Sequence, residues 1–515
     1  MRAHIAAALL ITLLAWPAAA NVITTENARP GTNEWNVRVR ALHGEIEGYA
    51  SLTSVAPGET IRFYVNSVDP DYTIEVFRMG WYGGLGGRRM TKPVRRTTVK
   101  QPMPKPESGT GLIECRWTDP HSLKIPSDWV SGVYLAKLTA LPSRIGSWII
   151  FVVRSQPSRT ARFIVQTSVT TYQAYNNWGG KSLYEFNSSG GRAYKVSFNR
   201  PYARKSGAAD FLLGYEYPMV RFFEREGYDV TYTTDIDTHQ RGAELLRYAA
   251  FLDIGHDEYW SWEMREAVEQ ARDSGVHLAF FSANDCYWQI RFEPSPVDGE
   301  RDRVIAAWKE SARQLDPVLR DDDPSNDRLA TTLWRELPVS RPEDALIGTM
   351  YTYSPIRTDM VIGDTSHWIF EGTGLKSGDR LKGLLGYEVD RMTATAYAGT
   401  VALTRTEFAH RDGQKDESNM TLYTARSGAL VFATGSMYWG FGVDDYNVQL
   451  RPEAPANKAV QQMTRNVIAR MTMVTVSKSG GGTGALACPG ERTGILTSGA
   501  RPERQARAPV PPLER

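Results

Sequence analysis

The stretch GHDEYWSWEM, residues 255–264, places His256, Asp257, Glu258 and Tyr259 directly behind an apolar run, YAAFLDI. His256 and Glu258 are two residues apart, and in an extended segment such residues face the same side. A histidine and a carboxylate aimed at one point suit proton transfer or metal binding. Without a ligand, the same pair is an ion pair that braces a loop. Three further stretches share the layout of an apolar run followed by polar and aromatic groups. RFIVQTSV leads into TTYQAYNNWGGKSLYEF, which carries Tyr172, Tyr175, Trp178 and Tyr184. VHLAFFS leads into ANDCYW, with Asn284, Asp285, Cys286 and Tyr287. GALVFATG leads into SMYWGFGVDD, with Tyr438 and Asp444. Phenolate and carboxylate oxygens are hard anionic donors, suited to a hard, highly charged ion such as ferric iron (Fe3+). Each tyrosine taken singly is also an ordinary packing and hydrogen-bonding residue.

Rival chemistries leave weaker traces. Cys286 lies near a histidine in sequence pattern, but ANDCYWQ lacks the glycine-flanked elbow that strains a nucleophile into place. Neither HExxH nor GxSxG occurs, and Cys115, Cys286 and Cys488 form no CxxC pair. GWYGGLGGRR, residues 80–89, is glycine-rich, yet no helix follows it to hold a phosphate. Trp178, Trp260, Trp288 and Trp439 support a second reading: a non-catalytic module that binds a ring-bearing or carbohydrate ligand on an aromatic edge.

The elements that must position these groups are periodic. From about residue 160, strand-like and helix-like segments alternate, and Ser261 is placed to cap a helix WEMREAVEQARDSG with Glu263 in its first turn. Such alternation predicts a doubly wound, mostly parallel sheet of the flavodoxin or glutamine-amidotransferase kind. Ligands of such sheets bind outside the carboxyl ends of the strands, where the stretches above fall. Residues 21–156 carry strand signals without a long amphipathic helix, which predicts an all-β, immunoglobulin-like β-sandwich. The expected organisation is therefore a β-sandwich over 21–156 and an α/β domain over 157–475. That domain includes an excursion at about 293–360, where DRVIAAWKESARQL reads as helical. A disordered tail is expected over 476–515.

The whole chain adds bounds. It has 515 residues, 60 basic and 58 acidic, a net charge of +2 that offers no electrostatic footprint for nucleic acid. Residues 1–20, MRAHIAAALLITLLAWPAAA, have the form of a secretory signal: Arg2, a short apolar core, then Ala18-x-Ala20. The mature protein is expected in the periplasm or outside the cell, free of the membrane once the signal is cleaved. Its expected partners are a small-molecule substrate, an amide among the candidates, and further copies of itself.

The motifs TYQAYNNWGGKSLY, GHDEYWSWEM and SANDCYW, with the earlier FRMGWYGGLGGRR, resemble the large (β) subunit of N,N-dimethylformamidase and its relatives over roughly residues 60–475. The resemblance implies hydrolysis of a C–N amide bond at a mononuclear iron held by two tyrosines and one glutamate. By residue matching, Glu258 takes the place of the glutamate and Tyr184 of one tyrosine, with Tyr175 or Tyr172 as the other. His256 and Asn284 match an assisting histidine and asparagine. The resemblance also implies a small second subunit. The segment between QAY and SLY is short here.

Overall fold

The computed structural model describes residues 21–156, 161–203, 212–446, 448 and 454–473. The expected leader, the expected tail and Cys488 lie outside the described residues.

The strand signals of the first 156 residues fold into two sheets with a shared core. One has three strands: Ile46–Ala50, Thr60–Ser67 and His121–Lys124. The other is built around Asp71–Met79, Gly132–Leu141 and Gly146–Val153, paired antiparallel. Alternation decides the facing. Ile61, Phe63 and Val65 of one sheet meet Ile74, Val76, Tyr134 and Phe151 of the other in one apolar cluster. The reverse face of the second sheet carries Phe77, Met79, Val133 and Leu135, which belong to the core of the rest of the chain.

That core surrounds a seven-stranded sheet. Its order is Val230–Thr234, Phe163–Thr167, Ala250–Ile254, His277–Phe281, Leu430–Ala433, Thr421–Thr424 and Val401–Ala402. The first five run parallel to their neighbours and the last two antiparallel. Every residue of the four strands from Val230–Thr234 to His277–Phe281 is buried, as parallel strands covered on both faces require. The chain goes from Phe163–Thr167 outward to Val230–Thr234, then crosses to Ala250–Ile254 on the other side. This reversal opens a crevice at the carboxyl ends. Ser261 caps the helix Trp262–Asp273, accepting from the Met264 amide at 3.2 Å.

Two expectations need correction, and one element was not foreseen. The segment 302–315 is not one helix: Val304–Ala306 is a strand paired with Lys195–Ser197, and only Ala312–Leu315 is α-helical. Lys309, at φ 56°, interrupts any longer helix there. GAELLRYAA, residues 242–250, reads as a helix from its sequence, but Gly242–Arg247 is a 3-10 turn that follows the short helix Asp235–Arg241, and Ala250 already opens the next strand. A long antiparallel hairpin, Met350–Val361 with Arg380–Arg391, was not foreseen at all; it lies against the carboxyl edge of the sheet.

Candidate active site

At the crevice, the helix Val169–Tyr175 follows the Phe163–Thr167 strand and ends on Tyr175. Gly255, at φ 80°, turns the chain out of Ala250–Ile254 and into His256–Glu258. The Glu258 amide donates to the Thr171 hydroxyl at 2.9 Å, so the helix fixes the loop beside it. Tyr184 returns to the same point after a loop that Arg200 staples. The Arg200 guanidinium donates to the carbonyls of Asn176 at 2.8 Å, Trp178 at 3.2 Å and Lys181 at 2.8 Å.

The side chains converge on Glu258. Tyr175 donates to its Oε2 at 2.8 Å. Tyr184 lies at 2.8 Å from Oε1 and 2.7 Å from Oε2. The two phenol rings are 4.3 Å apart between centroids. His256 Nε2 stands 3.2 Å from Glu258 Oε2, and its Nδ1 is 3.2 Å from the Ala283 carbonyl. Tyr175, Tyr184, His256 and Glu258 are all buried, with Glu258 at 0 % exposure. Tyr172 is not part of this group; it neighbours Glu216 and Tyr202 beneath it.

Asn284 joins through a residue that the sequence reading missed. Its Nδ2 donates to Glu388 Oε2, and that same oxygen lies 3.5 Å from His256 Nε2. The Asn284 backbone is left-handed at φ 56°, held there by its amide's bond to Asp390 Oδ1 at 2.8 Å. Asn284 Oδ1 is buried and accepts no hydrogen bond among the described residues. Glu388 and Asp390 come from the unforeseen hairpin. Two acids spaced two apart inside the apolar strand run LLGYEVD were a readable signal, since they share one face of the strand. Lys309 was missed as well. Its Nζ lies 3.6 Å from the Tyr184 ring centroid and donates to Tyr259 Oη at 3.1 Å and the Leu183 carbonyl at 3.2 Å.

Electrostatics follow from burial. Burial alone would lower the His256 imidazole, but Glu388, Glu258 and Asp285 carry it up to about 9. Burial also pushes the Tyr175 phenol well above its ordinary range, reinforced by Glu258 and Glu388. Below the site lie further buried acids, and burial raises Asp257 to about 6, Asp390 to about 7 and Glu216 to about 8. Cys286 is fully buried and burial pushes its thiol up, against the lowering effect of Arg265, which disfavours the thiolate a nucleophile needs. Trp260, Trp288 and Trp439 are at most 2 % exposed and Trp178 is 5 % exposed, so these four rings are not an open stacking edge.

The donor set sorts the chemistry. Two phenols and one carboxylate present hard oxygens to one another within hydrogen-bond distance, each phenol proton shared with Glu258. Among the described residues no group of three His, Cys, Asp or Glu side chains is arranged to hold a metal.

Comparison with known proteins places these residues in context. The family described as "N,N-dimethylformamidase beta subunit-like, C-terminal" matches residues 73–453, which include every residue of the cluster. N,N-dimethylformamidase beta subunits from Paracoccus aminophilus and from an Alcaligenes species are each 22% identical over 241 residues. Those alignments cover 38% of this chain and 31% of each relative, so the matched part spans about a third of the relatives' length. Among solved structures, mmIFT52 N-terminal domain aligns with 49% of this chain and 88% of its own at 9% identity and a TM-score of 0.24.

Proposed function

Because the chain belongs to the N,N-dimethylformamidase beta subunit-like family, we propose that it is an exported hydrolase that cleaves a C–N amide bond of a small molecule, with a single iron ion held by Tyr175, Tyr184 and Glu258. One observation carries the reading: both phenols and the His256 imidazole meet on the Glu258 carboxylate. The residues fit the group. All three donors are hard oxygens, and two shared protons occupy positions that a trivalent cation would replace. When bound, ferric iron supplies Lewis acidity, polarising the amide carbonyl.

The remaining steps belong to the chain. His256, between Glu258 and Glu388, is placed to carry a proton to the departing amine. Glu388 receives a proton from the attacking water. Asn284, tied to Glu388 through Nδ2 and fixed by Asp390 through its backbone amide, keeps Oδ1 to accept a hydrogen bond from the substrate. Lys309, over the Tyr184 ring, holds that ring in place through a cation–π contact. The buried walls keep bulk water from competing for the polar groups. The test is metal analysis and a visible spectrum of purified protein, together with amine release from N,N-dimethylformamide and related formamides. Bound iron with a phenolate-to-iron absorption band and amine release is the expected result. Protein that takes up no iron and releases no amine overturns the proposal.

A further inference from the structure

Among the described residues, Phe186 is the only phenyl, phenol or indole ring left exposed, at 40 %. It does not stand apart from the site. Its ring centroid lies 5.2 Å from that of Tyr184 and 6.5 Å from that of Tyr175. Exposure falls inward from it. Tyr184 keeps 6 %, more than any other member of the cluster; Tyr175 and Glu388 keep 3 %, and His256, Glu258 and Asn284 keep 1 % or less. On its inner side the Tyr184 ring meets the buried Lys309 and Tyr259. The water side of the cluster is thus the Tyr184 side, and Phe186 lies over it. The backbone that carries Phe186, the 3-10 turn Glu185–Asn187, is pinned to the site. Asn187 Nδ2 donates to the Tyr175 carbonyl at 3.1 Å, Asn177 Nδ2 to the Asn187 carbonyl at 2.9 Å, and the Ser188 hydroxyl to the Tyr184 carbonyl at 2.7 Å. The turn is held, so the ring moves only about its own side-chain torsions, and exposed side chains do so within nanoseconds.

We propose that Phe186 is a specificity-determining residue at the entrance to the Glu258 cluster, and that it selects amides whose nitrogen carries an apolar, ring-bearing substituent. The inference rests on the amide-hydrolysis reading and narrows its substrate class. The Tyr184 hydroxyl, bonded to Glu258, marks the reacting end, and the Tyr184 ring spans the gap from there to Phe186. A methyl group on the amide nitrogen ends within the cluster. A benzyl group is long enough to bring a ring back to Phe186. There it covers apolar surface that now faces water and pairs with the phenyl ring edge-to-face or offset. A charged substituent would lose water against the same ring and find no partner on it. The pinned turn sets where the pairing occurs, so the ring acts on the length and apolarity of the substituent, while bond cleavage stays with the buried groups.

Two measurements on the full chain test it: kcat/KM for amine release from N-benzylformamide and from N,N-dimethylformamide, and titration calorimetry with N-benzylformamide. Phe186→Ala should lower the ratio of the first kcat/KM to the second by about tenfold, the upper end of what one aromatic pair contributes. Its affinity for N-benzylformamide should fall alongside. Phe186→Tyr, which keeps the ring, should hold the native ratio. A ratio that Phe186→Ala leaves unmoved overturns the inference and leaves amide hydrolysis standing. N-benzylformamide that binds the native chain and binds Phe186→Ala more weakly, with no amine released from either formamide, supports the role of Phe186 and overturns the hydrolysis. N-benzylformamide that neither binds nor reacts, or that binds both chains equally, overturns the inference.

Discussion

Glu258 holds its place by accepting from both phenols and facing an imidazole, in a position no water reaches. Each partner can therefore be removed with a different expected outcome. Glu258→Ala deletes the anion on which the others converge and should lose both metal and turnover. His256→Ala should retain the metal while turnover falls by about 10^2–10^4-fold, the usual contribution of a positioned proton carrier. Tyr184→Phe should bleach the visible band while the ring keeps its packing. Metal content, absorbance and amine release on the three variants separate these roles. A histidine variant that strips the metal, beside a phenylalanine variant that keeps its colour, would show a histidine–carboxylate site instead. Glu216 gives a prediction that needs no metal. It holds its proton up to about 8 in the fold, whereas an unfolded chain releases it near the ordinary 4.5. Its stabilising contribution is thus complete below 4.5 and lost as pH rises through 8. Thermal melts of Glu216→Gln between pH 5 and 9 should show a flatter profile than the native chain, with its relative gain at the alkaline end.

At the scale of elements, the site depends on the short helix Val169–Tyr175, which supplies Tyr175 at its last turn and Thr171 to the Glu258 amide. Thr171→Val keeps the shape but strands that buried amide, at a cost of about 1–3 kcal/mol. Urea unfolding should register this loss, and metal retention should weaken with it because the Glu258 loop is less constrained. The parallel strands and the Trp262–Asp273 helix were readable in the sequence because periodicity and a capping serine mark them locally. The hairpin 350–391 was not readable. Its partners sit far apart in sequence, and its register slips at several points, which blurs the alternation. Glu388 and Asp390 were missed with it, although their spacing inside LLGYEVD puts both on one strand face. The misread helix at 302–315 has a similar cause. Val304 and Ile305 are β-branched residues whose short strand is fixed by pairing on both sides, with Trp288–Glu293 and with the distant Lys195–Ser197. Residues on local motifs could be found from sequence, while residues delivered by tertiary pairing could not.

For the whole molecule, the N-terminal sheets and the central sheet meet across more than apolar surface. Arg78, on Asp71–Met79, grips Glu224, on the helix Tyr217–Arg225, through paired contacts of 2.9 and 2.7 Å, and both side chains are fully buried. Tyr232 and Asn27 also donate to Glu224, at 3.1 and 2.7 Å. Arg78→Met leaves that carboxylate buried without its counter-charge and should cost about 3–5 kcal/mol. Calorimetric melts should show one transition moved to lower temperature; two separated transitions would mean the halves unfold independently. The ion pair bears on how such a chain can be inherited and cut. A module that evolution shuffles, or that an engineer excises, must leave a clean edge behind. Here the seam runs through a desolvated salt link with one partner on either side. Any boundary drawn along it leaves an orphaned charge inside one fragment. The α/β portion is therefore expected to travel with its β-rich neighbour, as an indivisible unit rather than a portable cassette.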